Sequence, residues 1–228
     1  MTNSIPMKTK FSLLLMIVAL LSLLSLQTRG DTIALSFGGM GGGSGTTQNV
    51  TVGWSFSLNS NISVTQLGAF DANNSMPLSG PPDGLLSDQL ITLWTSTGTF
   101  ITSATVPAGG GTLANGFRYV SIPQTFLAAG NSYVISDYYS PTNQDPNVEF
   151  FSTVTTAPGV MYGDAREGST TGNVFPDFVL SGTGVWGPNF QFVAATNGVP
   201  ESGSAWILMA SSLGGIVLLR STLQRRIH

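Results

Sequence analysis

The sequence predicts an all-β fold, an antiparallel β-sandwich of jelly-roll-like build, with an N-terminal signal helix before it and a C-terminal transmembrane helix after it. Three observations carry this. Apolar and polar residues alternate with period 2 through most of residues 31–198. Glycine, proline and asparagine clusters interrupt that alternation at short intervals. No helical period occurs between 31 and 198, whereas both chain ends hold unbroken apolar runs. Short alternating runs with turn residues between them are the pattern of a sandwich or barrel.

The clearest strand is Val52–Leu58, where Val52, Trp54, Phe56 and Leu58 alternate with Gly53, Ser55 and Ser57. One face of such a strand packs and the other stays small or polar. Similar runs follow at 62–70, 89–94, 100–106, 117–122, 132–137, 148–154, 174–180 and 190–194. Asn73-Asn74, Pro81-Pro82-Asp83-Gly84, Thr97-Gly98, Asn115-Gly116 and Gly130-Asn131 mark turns between them. Trp54, Trp94, Phe56 and Phe117 read as core. The glycine-rich stretch 38–45 reads as a flexible loop. It lacks the lysine and the strand-then-helix setting of a phosphate-binding loop.

Residues 1–30 have the organisation of a secretory signal peptide. Lys8 and Lys10 form a basic start, Phe11 to Leu26 is apolar but for serines, and Thr28-Arg29-Gly30 places small residues around a cleavage point before Asp31. The alternative is an uncut N-terminal anchor. The C-terminus has three parts: a short motif (Val199, Pro200, Glu201, Ser202, Gly203), an apolar run from Ala205 to Leu219, and a basic stop (Arg220, Arg225, Arg226). At 1.5 Å per residue the run spans only about 22 Å, a short membrane segment. Trp206 suits the outer interface and the arginines suit the cytoplasmic side, which puts the body outside.

The domain between the ends, 31–198, has about 168 residues, enough for a core without disulfides, and the chain has no cysteine. Within 31–198 the only bases are Arg118 and Arg166; against ten acids they leave a net charge of −8. A body without lysine is a poor nucleic-acid binder, because phosphate contacts need clustered Lys and Arg. The only histidine is His228. The body therefore lacks Ser-His-Asp and Cys-His nucleophile systems, lysine Schiff bases and His or Cys metal sites. Carboxylate-pair glycoside hydrolysis remains as the enzymatic alternative, with Asp137 and Glu149, or Asp164 and Glu167, as the pairs. The leading expectation is that the protein is not an enzyme.

Three further sets are candidate sites. Tyr138, Tyr139 and Trp186 could stack on sugar rings, as a carbohydrate-binding module would; the alternative is that they are packed strand ends. Asp71, Asn73, Asp83 and Asp88 concentrate oxygen donors between two strands and make calcium the one cofactor to consider. Asp145, Asn147 and Glu149 form a second such set. Ordinary turn chemistry explains the same residues without an ion.

The tail at 199–228 resembles the bacterial PEP-CTERM class of sorting signals, and most closely its VPDSG-CTERM variant, with Glu201 where that variant has Asp and Ser202 where the commoner form has a second proline. The resemblance implies export through the secretion translocon and transient anchoring in the inner membrane. It also implies recognition by an exosortase and release to a cell surface or matrix rich in exopolysaccharide. From about residue 50 to 140 the order of motifs is similar to the DUF4082-type β-sandwich domain. The matching stretches are 53–56 (GWSF), 64–71 (VTQLGAFD), 92–98 (TLWTSTG), 104–109 (ATVPAG), 116–120 (GFRYV) and 127–130 (LAAG). That family carries no assigned activity.

The mature chain is expected to begin at or near Asp31. N-terminal sequencing of protein recovered from the cell envelope checks this, and a sequence starting at Met1 contradicts it.

Overall fold

The computed structural model describes residues 31–40, 44–45, 49–71, 82–145, 147–149, 151–168, 172–180 and 185–195. The chain divides into two compact units, Met1–Asp31 and Thr32–His228, and the fold described here belongs to the second. The signal helix, Asn73, the sorting motif, the apolar run 205–219 and the basic stop lie outside the described residues. Among the described residues no helix is long and apolar enough to cross a membrane, which leaves β-barrel spans unaddressed.

The described residues form strands and no helix. In chain order they are β1 (Thr32–Ile33), β2 (Leu35–Met40), β3 (Ser44–Gly45), β4 (Val50–Leu58), β5 (Ile62–Phe70), β6 (Gln89–Thr95), β7 (Phe100–Val106), β8 (Thr112–Ala114), β9 (Phe117–Leu127), β10 (Ser132–Tyr139), β11 (Asn147–Glu149), β12 (Phe151–Thr156), β13 (Val160–Gly168), β14 (Phe178–Leu180), β15 (Val185–Trp186) and β16 (Pro188–Ala194). Two sheets dominate. One runs β1-β16-β5-β9-β8, the other β14-β13-β4-β10-β6-β7. Two small sheets, β15-β11-β3 and β12-β2, complete the fold. Every pairing among the described residues is antiparallel. The result is all-β and sandwich-like.

Alternation explains the core. Trp54, Phe56 and Leu58 of β4, Tyr133 and Ile135 of β10, and Ile91 and Leu93 of β6 face Ile62, Val64 and Leu67 of β5, and Phe190 and Phe192 of β16, in one buried cluster. Trp54 is stacked on Phe190 with centroids 5.9 Å apart, and Phe56 lies 4.9 Å from the same ring. Turn chemistry acts where it was expected. Asn115 (φ 49°) and Gly116 (φ 78°) form a two-residue hairpin loop between β8 and β9. Both loop positions need positive φ, which asparagine and glycine tolerate best.

Four expectations need correction. The stretch 38–45 is not simply a loop: Gly38 pairs with Thr153 in β2–β12, and Ser44 with Val148 in β3–β11. Glycine backbone still donates and accepts, so a partner strand overrides its poor propensity. The run 148–154 is two strands in two different sheets. The run 174–180 is a strand only at its end. Its first half, with Gly172 and Asn173 just before it, crosses the outer face of the six-stranded sheet, where Thr51 donates to the Gly172 carbonyl, Asn173 Nδ2 donates to Thr92 Oγ1 and the Val174 N–H donates to Thr51 Oγ1. Trp94 is buried but lies in this outer layer, against Phe175 and Phe100, with its indole N–H on Ser136 Oγ at 2.8 Å. The outer face of β4 is therefore covered rather than wet.

Gly53 sits in the middle of β4, where the Ile135 carbonyl of β10 occupies the space a Cβ would need. Both partners are backbone, so neither yields cheaply. Gly53→Ala is expected to destabilise the fold by about 3 kcal/mol, while Ser57→Ala on the same strand stays within about 0.5 kcal/mol. Urea unfolding of the two variants checks the difference.

Candidate functional site

The described residues bring together a set of acids that the sequence scatters over 75 positions, from Asp71 to Asp145. They sit at one end of the sandwich, and each is buried. Asp71 follows the last residue of β5. Its Oδ2 lies 2.6 Å from Arg118 Nε, and its Oδ1 accepts the Gly84 N–H at 3.0 Å. Asp145 acts as a clasp for the segment before β6. Its carboxylate accepts the N–H groups of Leu86 (2.7 Å) and Ser87 (2.8 Å) and the Gln89 Nε2 amide (2.9 Å). Gln89 Nε2 also donates to Asn143 Oδ1 at 2.7 Å, and Asn143 Nδ2 returns a bond to the Asp145 carbonyl. This network stands in for sheet pairing between the 82–89 segment and the loop after β10.

Asp137 is different. It lies on the inward face of β10, in line with Tyr133, Ile135 and Tyr139, and is 0% exposed. Neither of its carboxylate oxygens has a hydrogen-bond partner, and Gln89 Oε1 is likewise buried and unpartnered. Burial, and then the charge of Asp145, push the Asp137 pKa well above the ordinary aspartate value. Burial also raises Asp145, with Asp71 adding to it, against the three bonds that Leu86, Ser87 and Gln89 supply. Tyr139 is raised by burial and by both Asp137 and Asp145. Asp137 therefore senses Asp145, and Asp145 senses Asp71, in a low-dielectric setting.

The sequence-predicted sites fare unevenly. Of the calcium set, Asp71 is committed to Arg118 and Gly84, Asp88 Oδ1 caps the Ala108 N–H at 2.9 Å, and Asp83 is exposed. Asp71 and Asp88 thus do backbone and ion-pair work in different places. Of the sugar-stacking set, Tyr139 is 2% exposed and faces inward beside Val50 and Val52, so its ring is not at the surface. This corrects the expectation for Tyr139; strand parity puts it on the core side. Tyr138 faces outward, half-buried, with its hydroxyl on Asn49 Oδ1. Trp186 pairs with Val148 in β15–β11. Of the hydrolase pairs, Asp137 is sealed between the sheets, while Asp164 is exposed and lies 3.8 Å from Arg166. Among the described residues no three His, Cys, Asp or Glu side chains converge as a metal cluster.

Sequence reasoning missed the grouping of Asp71, Asp137 and Asp145 with Gln89 and Asn143. One signal was available. Asp137 has the same parity as Tyr133 and Ile135, so a strand-face reading places it inside.

These features define the class: an antiparallel all-β domain with a buried acidic end. Comparison of the chain with family models, curated proteins and solved structures found no match in any of the three.

The folded chain holds a proton on Asp137 more tightly than the unfolded chain does. That share of stability is complete at acid pH and is lost as pH rises through the raised folded-state pKa. In metal-free buffer, Asp137→Asn should therefore gain on the wild type by up to about 1.4 kcal/mol per pH unit above the ordinary aspartate range. Denaturant midpoints of both proteins across pH check this; parallel profiles contradict it.

Proposed function

We propose that the chain is an exported, non-enzymatic protein of the cell surface or extracellular matrix, sorted by an exosortase-type system. The observation that carries this is the pairing of a leader at 1–30 with the three-part tail at 199–228. The apolar run 205–219 holds the chain in the inner membrane with the body outside, because Arg220, Arg225 and Arg226 favour the cytoplasmic side. The exosortase then acts near Val199–Gly203 and releases the jelly-roll-like body to the surface. A cysteine-free, acidic body poor in lysine suits a soluble surface protein and contact with hydrated exopolysaccharide.

Removing residues 199–228 is expected to move the protein from the envelope fraction to the medium. Reversing Arg225 and Arg226 to Glu should weaken retention in the same direction. Fractionation with intact-mass measurement checks both. If tail-deleted and intact proteins distribute alike, and the intact protein's mass shows no loss beyond the leader, the sorting reading fails.

A further inference from the structure

We propose that the inward-facing oxygens of Asp137, Tyr139 and Gln89 form an internal site for a hard divalent cation of the calcium class. The proposal concerns the body alone and does not rest on the sorting reading. Three acceptor atoms, Asp137 Oδ1, Asp137 Oδ2 and Gln89 Oε1, are buried without any partner. A buried carboxylate without a donor or a counter-charge is costly, so it carries a proton or holds a cation. The bases of residues 31–198 are engaged elsewhere: Arg118 with Asp71 and Arg166 with Asp164.

The geometry gathers oxygens rather than dispersing them. A Cβ built on Gly187 would lie 2.9 Å from both Asp137 Oδ2 and Tyr139 Oη, so these two oxygens face the same small space over the Gly187 backbone. Gln89 lies two residues from Ile91, the cross-strand partner of Asp137, and on the same face of β6. Such diagonal neighbours are within reach of a long side chain. Asp145, joined to Gln89 Nε2, supplies a second negative charge close by. The donors are carboxylate, amide and phenol oxygens, with no nitrogen or sulfur, which selects a hard ion over a transition metal. With one carboxylate at the centre, affinity belongs in the sub-millimolar to millimolar range typical of extracellular calcium modules. Proton and cation compete for the same carboxylate, so binding belongs to neutral pH.

The test is thermal unfolding of the full chain in non-ionic detergent, with millimolar calcium chloride against chelator at matched ionic strength. At about pH 8, calcium at roughly a tenfold excess over its Kd should raise Tm by about 3–6 °C. At about pH 4 the shift should vanish, because the proton holds the site. Asp137→Asn should abolish the shift, and Asp88→Asn, in the exposed loop, should keep it. Absence of a shift at pH 8, or an equal shift in Asp137→Asn, overturns the proposal. So does loss of the shift in Asp88→Asn alone, which would place the ion in the loop. Should Asp137→Asn not fold, calorimetric titration of calcium into wild type and Gly187→Ala decides. One ion per chain, weakened at least about tenfold by the methyl group, supports the site. No binding, or unchanged affinity in Gly187→Ala, rejects it.

Discussion

The packing of Trp54 against β16 is the contact on which the rest depends. The indole N–H donates to the Pro188 carbonyl at 2.8 Å, and the ring stacks on Phe190. β4 is a central strand of one sheet, flanked by β13 and β10, and β16 is an inner strand of the other, flanked by β1 and β5. One side chain thus ties the middle of both layers together across 134 residues of sequence. The hydrogen bond also satisfies the only polar atom of the largest fully buried side chain. Without that partner the indole would carry a desolvation penalty into the core.

Because the joining contacts are so distant in sequence, the chain closes long loops before its core rewards them. Polar side chains compensate where strands cannot. Ser55 illustrates this: the Asp164 N–H donates to its hydroxyl at 2.8 Å beside the irregularity in β13 between Tyr162 and Ala165. The clasp of Asp145, Asn143 and Gln89 does the same for the segment leading into β6. Asn189 closes a third gap by donating to the Leu35 carbonyl at 2.7 Å. Each places a short polar side chain where backbone pairing is interrupted, so that buried donors and acceptors find partners.

Against that background Asp137 stands out. The fold satisfies Asp71 with an arginine and Asp145 with three donors, yet leaves both oxygens of Asp137 without a partner. A buried carboxyl without a donor or a counter-charge carries a proton or, as proposed, holds a cation. For a protein proposed to work outside the cell, an internal carboxylate shared between proton and cation would link the body's stability to its surroundings. The proposed link lies in the body, whereas the proposed sorting address lies in the tail.

The sequence by itself determined the strand class, the inward set of β4, and the Asn115-Gly116 turn. Period-2 alternation and turn φ requirements are local properties, legible without knowing what packs where. Only the tertiary structure decided the rest. Gly38 became strand because β12 lies beside it, and Trp94 became buried because the 172–176 segment crosses over it. Tyr139 lay beyond the expected run 132–137, and its burial depended on which face of β10 met the second sheet. The acidic end was hidden for the same reason. Asp71, Asp137 and Asp145 belong to separate segments, and the effects of Asp145 on Asp137 and of Asp71 on Asp145 arise only when β5, β10 and the loop after β10 meet at one end of the sandwich. Burial and proximity depend on the whole packing, so a local pattern names the residues while the fold sets their chemistry.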